Sequence, residues 1–453
     1  MAMVGSVIEL DREAAEAPRG EPGLPPYRWR WLALAVAAAV CVAALVSADP
    51  SPGGRLVEVA RIDPASVVTM RVAGPTLFAV TPRGGPHLVA YRLADGARQW
   101  SVPLTESGAD AQVSGFDVVD GAVVVTMHSG LAYLPTVAVD AATGRELWRE
   151  DLPQVGVRAG GTVVLGTYLN PGGGRGDAPY PGADGPSQPL LLHGVRPRTG
   201  QLVWTYQVPA GWRVVLPIVE ADARPATAFV VVAPDGHATA VSLATGGARA
   251  SATIDAVPTD QSGIPGSPVK LYDDQLVLVA TRQGRPTLAA YRADTLGEQW
   301  TATLPTTDVF LSRCGPWQCA SYLNATHAIA AATGTPAWTM TNTPQSMGWL
   351  AGWIYECADP THPDSAVLID PVTRQVVLPL GHWRISTPTT GPVLVTTAIA
   401  GTNNTLVGLL ADGPRIEVLG VVGTRLQGGC EVGNGHLACA TINDQLRIFT
   451  YEP

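Results

Sequence analysis

The residues that could carry chemistry in this chain are scattered acids and histidines. Acidic side chains stand near the ends of predicted strands, where a general base or a calcium ligand could lie: Asp117, Asp120, Glu220, Asp222, Asp273, Asp274 and Asp308. The eight histidines show none of the short spacings that zinc sites use. No GxSxG, P-loop or HExxH motif is present. The sequence therefore predicts no catalytic residue and no metal site, and it identifies no cofactor-binding residue.

Four cysteines form two closely spaced pairs that predict disulfides. Cys314 and Cys319 flank one predicted turn, and Cys430 and Cys439 flank another. In the predicted fold each pair lies on adjacent antiparallel strands, where a bond is plausible in an oxidising compartment. We predict that non-reducing peptide mapping will find Cys314–Cys319 and Cys430–Cys439. Four free thiols would contradict both the bonds and the compartment.

These residues must be positioned by a hairpin that recurs along the chain. Each copy begins with an apolar residue, carries a glycine five residues later and a tryptophan nine residues later. The positions that carry the repeat are Gly96, Trp100, Gly144, Trp148, Gly200, Trp204, Trp300, Gly334 and Trp338. Glycine adopts positive φ in a tight turn without steric cost. A buried tryptophan one strand beyond the turn can fill the gap between neighbouring sheets. The motif is therefore interpreted as structural.

Some copies depart from this pattern. Ala250 replaces the tryptophan after Gly246, and the glycine before Trp300 is displaced by one place to Gly297. In the weakest readable copy Arg374 and Leu378 replace both residues. The recurrence nevertheless predicts a repeat architecture.

The predicted fold is all-β, a closed β-propeller of four-stranded blades preceded by one N-terminal transmembrane helix. Each repeat divides into four strands, and nine units can be counted, so eight or nine blades are expected. The isolated strand Arg55–Ile62 can pair with the last unit, which supplies only three strands, and so close the ring. Closure removes two exposed edges.

The N-terminal part predicts a membrane anchor. Residues 1–30 are polar and proline-rich and are expected to be a disordered cytoplasmic tail. Residues 31–48 are apolar without a charge and follow Arg28 and Arg30, which predicts a signal anchor with its basic flank inside. Residues 49–55 are a linker, and 56–453 form the propeller outside the cytoplasm. A cleaved signal peptide is the alternative for 31–48.

Composition limits the partners. The formal net charge is −9, which suits a nucleic acid partner poorly because phosphate backbones need basic surfaces. Lys270 is the only lysine, while arginine, alanine, glycine and proline are abundant. This bias is typical of a high-GC actinobacterial genome.

The hairpins resemble a known repeat. The segments YRLADGARQW, VDAATGRELW, VRPRTGQLVW and IAAATGTPAW are similar to the repeat of PQQ-like β-propellers. The resemblance implies the fold. Its members include quinoprotein dehydrogenases that bind pyrroloquinoline quinone and calcium, and scaffolds such as the outer-membrane barrel-assembly lipoprotein. The dehydrogenases have a disulfide between adjacent cysteines, which this chain lacks.

The expected function is that of a non-catalytic, membrane-anchored extracytoplasmic propeller that binds a protein or cell-envelope partner. The alternative is a PQQ- and calcium-dependent dehydrogenase of alcohols or sugars, and a third hypothesis is a structural spacer. Aromatic residues could form a recognition face or belong to the core: Trp212, Trp317, Trp349, Trp353 and Trp383.

Overall fold

The chain divides into two compact units, Met1–Gly53 and Gly54–Pro453. The computed structural model describes residues 56–452 with gaps at 64, 83, 106–110, 130–131, 160, 169–188, 219–225, 255–268, 273, 323–324, 342–345, 351, 358–365, 387–391 and 411–412. The predicted tail, anchor helix and linker lie outside the described residues. Within the described residues, no helix has the length and apolar character needed to span a bilayer.

The described strands form nine sheets, numbered here as blades 1 to 9. Blade 1 contains β2 (Thr69–Ala73), β3 (Thr76–Thr81), β4 (His87–Arg92) and β5 (Arg98–Pro103). Blade 2 contains β6 (Ala111–Val119), β7 (Ala122–Ser129), β9 (Thr136–Asp140) and β10 (Glu146–Glu150), with the short β8 (Ala132–Tyr133) beside β7. Blade 3 contains β11 (Gln154–Ala159), β12 (Thr162–Tyr168), β13 (Leu190–Val195) and β14 (Leu202–Val208).

Blades 4 to 6 follow in chain order. Blade 4 contains β15 (Arg213–Val215), β17 (Ala228–Val232), β18 (His237–Ser242) and β19 (Ala248–Thr253). Blade 5 contains β20 (Val269–Tyr272), β21 (Gln275–Arg282), β22 (Arg285–Arg292) and β23 (Glu298–Thr303), and β16 (Pro217–Ile218) joins it. Blade 6 contains β24 (Phe310–Cys314), β25 (Trp317–Tyr322), β26 (Ala325–Ala330) and β27 (Pro336–Thr341).

The last three blades complete the ring. Blade 7 contains β28 (Ser346–Leu350), β29 (Trp353–Cys357), β30 (Ala366–Ile369) and β31 (Val376–Pro379). Blade 8 contains β32 (Arg384–Ser386), β33 (Leu394–Ala398), β34 (Thr405–Leu410) and β35 (Ile416–Val422). Blade 9 contains β36 (Leu426–Gly433), β37 (His436–Thr441), β38 (Leu446–Tyr451) and β1 (Leu56–Ile62).

The ring is closed by pairing the first described strand with the last. β1 runs antiparallel to β38, with Leu56 opposite Tyr451 and Ile62 opposite Leu446. Apolar side chains fill the space between every pair of consecutive blades, including blades 9 and 1. The prediction of an all-β propeller with four-stranded blades is confirmed, and the number of blades is nine, one more than propellers usually have.

Four of the five tryptophans of the repeat, Trp100, Trp148, Trp204 and Trp300, pack on the turn glycine of the next blade. A Cβ atom added to Gly200 would lie 2.7 Å from Cγ of Trp148, and one added to Gly246 would lie 2.5 Å from Cβ of Trp204. The indole N–H of Trp204 also donates to the Leu243 carbonyl at 2.7 Å. The glycine is therefore required both by its positive φ and by the ring that covers it.

One blade pair uses a different combination at the same contact. Leu296, with φ of 56°, occupies the turn site that glycine holds elsewhere, and its N–H donates to the Arg292 carbonyl as the glycines do in their turns. The prediction that Gly297 takes the turn position in this copy is therefore wrong, because Leu296 is the residue with positive φ. Leu296 packs in the same apolar group as Ala250, the residue that replaces tryptophan in blade 4. A large turn residue thus compensates for a small strand residue.

Asp140 fixes the turn of blade 2 and joins it to blade 3. Its Oδ1 accepts hydrogen bonds from the Thr143 hydroxyl and from the N–H groups of Thr143 and Ala142. Arg198 of the next blade donates to Oδ2 at 2.8 Å. Chiefly the Thr143 hydroxyl, and then these N–H groups and Arg198, lower the pKa of Asp140 below its ordinary value.

The pKa of Asp140 predicts a pH dependence of stability. Because it is lowered on folding, the carboxylate stabilises the fold above about pH 4, and this contribution disappears as the pH falls through the folded-state pKa. We expect Asp140→Asn to lower the free energy of unfolding at pH 7, with the difference from wild type vanishing on acidification. Denaturant titrations at several pH values measure this, with the exposed Asp151→Asn as control. A difference that does not change with pH would contradict the prediction.

Two disulfides lie in the inner hairpins of blades 6 and 9. Cys430 stands directly opposite Cys439 on β36 and β37, and their Cα atoms are 4.3 Å apart. Cys314 and Cys319 are bonded across β24 and β25 with Cα atoms 5.9 Å apart. Closing a loop of about ten residues stabilises a protein by roughly 2–3 kcal/mol.

We expect the double variant Cys430→Ser with Cys439→Ser to lose about 2–3 kcal/mol of unfolding free energy. Denaturant unfolding with and without reductant measures this loss. The reduced wild type lacks both disulfides, so it should be at least as unstable as the oxidised double variant, which keeps Cys314–Cys319. No change in the denaturation midpoint of the double variant would contradict the prediction.

Candidate functional site

The first strand of each blade, β36 in blade 9, lies innermost, except in blade 5, where β16 pairs with part of β20 on the channel side. These strands contact one another from blade to blade, for instance β36 with β2 and β20 with β24. They therefore surround the central channel that the propeller fold creates. Their basic residues are Arg71, Arg158, Arg213, Lys270, Arg313 and Arg384, and their acidic residues are Asp117 and Glu431. The innermost layer thus has an excess of positive charge in a chain whose net charge is −9.

Blades 9, 1 and 2 neutralise their part of this charge. Arg71 on β2 donates from Nη1 to Oδ1 of Asp117 on β6, and its guanidinium lies 6.0 Å from the centre of the Phe116 ring. Burial lowers the pKa of Arg71, and the charge of Glu431 on β36 opposes that shift. The side chains of Arg71 and Asp117 are only 17% and 22% exposed. Asp117 therefore serves as the partner of a half-buried cation.

Lys270 on β20 lies in a different environment. Val269 and Leu271 pack toward blade 4, whereas Tyr272 packs toward blade 6 and its hydroxyl lies 3.5 Å from the Leu311 carbonyl. Because side chains alternate along a strand, Lys270 lies on the blade 6 side. It is half-buried, and this burial lowers the pKa of its ammonium. Among the described residues, none forms an ion pair or hydrogen bond with its Nζ.

The fifth strand of blade 5 covers part of this surface. β16 pairs in parallel with β20 along the edge not occupied by β21, with Pro217 opposite Leu271 and Ile218 opposite Tyr272. That edge faces the channel. The pairing begins at Leu271, so it stops short of Lys270.

The described acids among those that could have formed a catalytic or calcium site do not come together. Asp120 and Asp274 are exposed in the first turns of blades 2 and 5, and Asp308 is exposed in the loop before β24. Glu220, Asp222 and Asp273 lie outside the described residues. In the part of the chain that the structure describes, no group of three or more His, Cys, Asp or Glu residues could hold a metal ion.

Four of the five aromatic residues considered as a recognition face pack between blades. Trp212 meets His237 edge to face at 5.9 Å, and Trp317 meets Trp338 in the same way at 6.2 Å. Trp353 and Trp383 contact the apolar core between blades 7 and 8. The side chain of Trp349 lies outside the described residues. The described four therefore contribute to the fold.

One position that carries charge on several inner strands was not recognised from the sequence. Arg71, Asp117, Lys270 and Glu431 each stand seven residues before their partner on the second strand: Phe78, Val124, Val277 and Ala438. An aligned set of repeats would show charge at this place. The Gly–Trp pairs fix a different part of each blade, so they did not reveal it.

The closed ring and the Gly–Trp contacts between blades define a PQQ-like β-propeller. The family model described as outer membrane protein assembly factor BamB matches residues 33–154 and 136–339. These matches span more than half of the chain, and the protein belongs to this family.

Three solved structures are similar to this chain at low sequence identity. BamB from Moraxella catarrhalis is 14% identical, with 87% of this chain and 100% of that chain covered and a TM-score of 0.40. The C-terminal WD40 domain of Sif2 is 9% identical, with coverages of 88% and 99% and a TM-score of 0.42. Saccharomyces cerevisiae Sqt1 is 9% identical, with coverages of 88% and 99% and a TM-score of 0.40. A comparison with curated protein sequences finds no significant match.

Proposed function

We propose that this protein is a non-catalytic, membrane-anchored propeller outside the cytoplasm that binds a protein or cell-envelope partner. The observation that carries the proposal is the family match, because its description names an assembly factor rather than an enzyme. A closed ring also presents two rigid faces of loops, and such loops are the usual carriers of recognition. The proposal covers partner binding and not barrel assembly itself.

Two observations support the location. Residues 31–48 are uncharged and apolar and follow Arg28 and Arg30, the flank expected on the cytoplasmic side. The disulfides of blades 6 and 9 are typical of an oxidising compartment. Deleting residues 31–48 should release the protein from the membrane fraction, and protease added to intact spheroplasts should degrade the propeller. Protection in intact spheroplasts would contradict the location.

Crosslinking in living cells tests partner binding. A photoreactive amino acid at Val372, which is 78% exposed in a turn of blade 7, samples one face of the ring. The same substitution at Ile442, which is 47% exposed in a turn of blade 9, samples the opposite face. The outer-edge residue Val57, 56% exposed, is the matched control. We expect a reproducible adduct from one face and not from the edge.

Absence of any reproducible adduct would favour the structural spacer. A separate assay tests the non-catalytic part of the proposal. Purified protein is mixed with pyrroloquinoline quinone and calcium, and dye reduction by alcohols and sugars is measured. We expect none, and stoichiometric quinone binding with dye reduction would overturn the proposal.

A further inference from the structure

We infer that the central channel binds an acidic peptide segment of the partner, and that Lys270 on the inner strand of blade 5 pairs with one of its carboxylates. This inference rests on the proposed function, because it gives that function a site and a partner chemistry. The occupant is an extended stretch rich in aspartate and glutamate.

Charged residues are distributed unevenly between the inner strands and the rest of the chain. The innermost strands carry six basic and two acidic residues, whereas the chain as a whole has 29 basic and 38 acidic residues. Both acids stand in the arc of blades 9, 1 and 2, around Arg71. The arc of blades 4 to 6 carries Arg213, Lys270 and Arg313 on its inner strands and no acid on them. On the described inner strands, the excess of basic over acidic residues is therefore greatest in this arc.

The environment of Lys270 favours an anion from outside the chain. A half-buried ammonium loses part of its hydration, and this loss is unfavourable unless an anion or hydrogen-bond acceptor replaces it. Arg71, at the same register position, has Asp117 in contact and Glu431 nearby. The described surroundings of Lys270 supply neither. A carboxylate from outside the chain would complete the same pairing that blades 9, 1 and 2 complete internally.

The channel-facing edge of β20 is only partly covered. β16 covers β20 at Leu271 and Tyr272, but the pairing does not extend to Lys270. Arg384 on the inner strand of blade 8 is exposed. A second cation therefore lies further round the same layer, which suits a chain with several carboxylates.

Peptide carboxylates fit this surface better than a nucleic acid does. Binding a phosphate backbone requires several Lys and Arg residues on an accessible surface. Here the inner strands carry only six of the 29 basic residues, and the chain as a whole is acidic. A flexible peptide can place single carboxylates at separate points within the channel, whereas a duplex would meet the acidic exterior.

Fluorescence anisotropy with a labelled decaglutamate peptide and the full-length protein tests the inference. We expect saturable binding that weakens as salt increases, with decaglutamine and decalysine much weaker. Lys270→Glu should weaken binding by at least about tenfold, while Lys270→Arg retains it and shows that the fold is intact. Arg415→Gln removes one positive charge at the outer edge, from a side chain 74% exposed, and should leave binding unchanged.

The single lysine allows a second measurement. An acylating reagent can modify only Lys270 and the α-amino group, so mass spectrometry measures both within one molecule. Decaglutamate should slow acylation of Lys270 several-fold and leave the α-amino group unaffected.

Equal affinity for decaglutamate and decaglutamine, or unchanged binding in Lys270→Glu, would overturn the inference. Tighter binding of a ten-residue oligothymidylate or of anionic lipid vesicles would overturn it also. Either result together with reproducible crosslinks in cells would leave the proposed function standing and refute only the channel site.

Discussion

Trp204→Ala is expected to lower the free energy of unfolding by about 3–5 kcal/mol. Trp204 is 5% exposed, stacks on Phe229 at 5.8 Å and covers Gly246 of the next blade. Its indole N–H donates to the Leu243 carbonyl, which would lose its partner as well. Chemical denaturation followed by circular dichroism measures the effect without relying on tryptophan fluorescence.

A double-mutant cycle tests whether the tryptophan and the glycine act as one unit. Gly246→Leu alone should destabilise the protein by about 1–3 kcal/mol, because the added side chain meets the Trp204 ring and the leucine backbone must adopt positive φ. In the double variant the leucine can fill the space left by the indole, as Leu296 does beside Ala250. The double variant should therefore lose less stability than the sum of the single changes. Strict additivity would contradict the compensation.

The propeller could be predicted because its repeat is local. The Gly200 turn and the Trp204 ring are four residues apart, so a single hairpin carries both signals. Strand pairing within a blade also links neighbours in sequence, and only β1 must cross the whole chain to pair with β38. The recurring units therefore limited the blade count to eight or nine before any long-range contact was known.

The exceptions needed tertiary contacts. Glycine is the residue expected at positive φ, yet Leu296 and Arg374 occupy such turn positions with φ of 56° and 60°. Leu296 is stabilised by burial beside Ala250, and the Arg374 guanidinium lies 5.9 Å from the centre of the Trp338 ring. Propensity alone placed the first of these turns one residue too late. Packing against the preceding blade decides such positions, and that packing is not visible within one hairpin.

The candidate site depends on contacts between blades and was largely hidden. Arg71 and Asp117 are separated by 46 residues, and only the curvature of the ring brings them together. Lys270 was noticeable in the sequence only as the sole lysine. Its place on an inner strand becomes meaningful once the ring is closed and the other inner strands surround the same axis. The membrane anchor at 31–48 stays a prediction.

Removing β38 is expected to prevent stable folding. β38 lies between β37 and β1, and among the described strands it is the only one that pairs with β1. Leu446, Ile448 and Phe449 are 0%, 0% and 3% exposed and pack against blades on both sides. Burying three such side chains contributes about 5–9 kcal/mol, which is comparable with the total stability of a typical domain.

A chain truncated after Gln445 should therefore be insoluble on expression, whereas one lacking only Glu452 and Pro453 should match the wild-type melting temperature. The loss would exceed the burial term, because β1 would become an unpaired edge and blades 9 and 1 would be joined only by side chains. A soluble truncated protein with an unchanged melting temperature would contradict closure by β1 and β38. In that case contacts between the inner strands of blades 9 and 1, close to Arg71, would have to keep the ring closed.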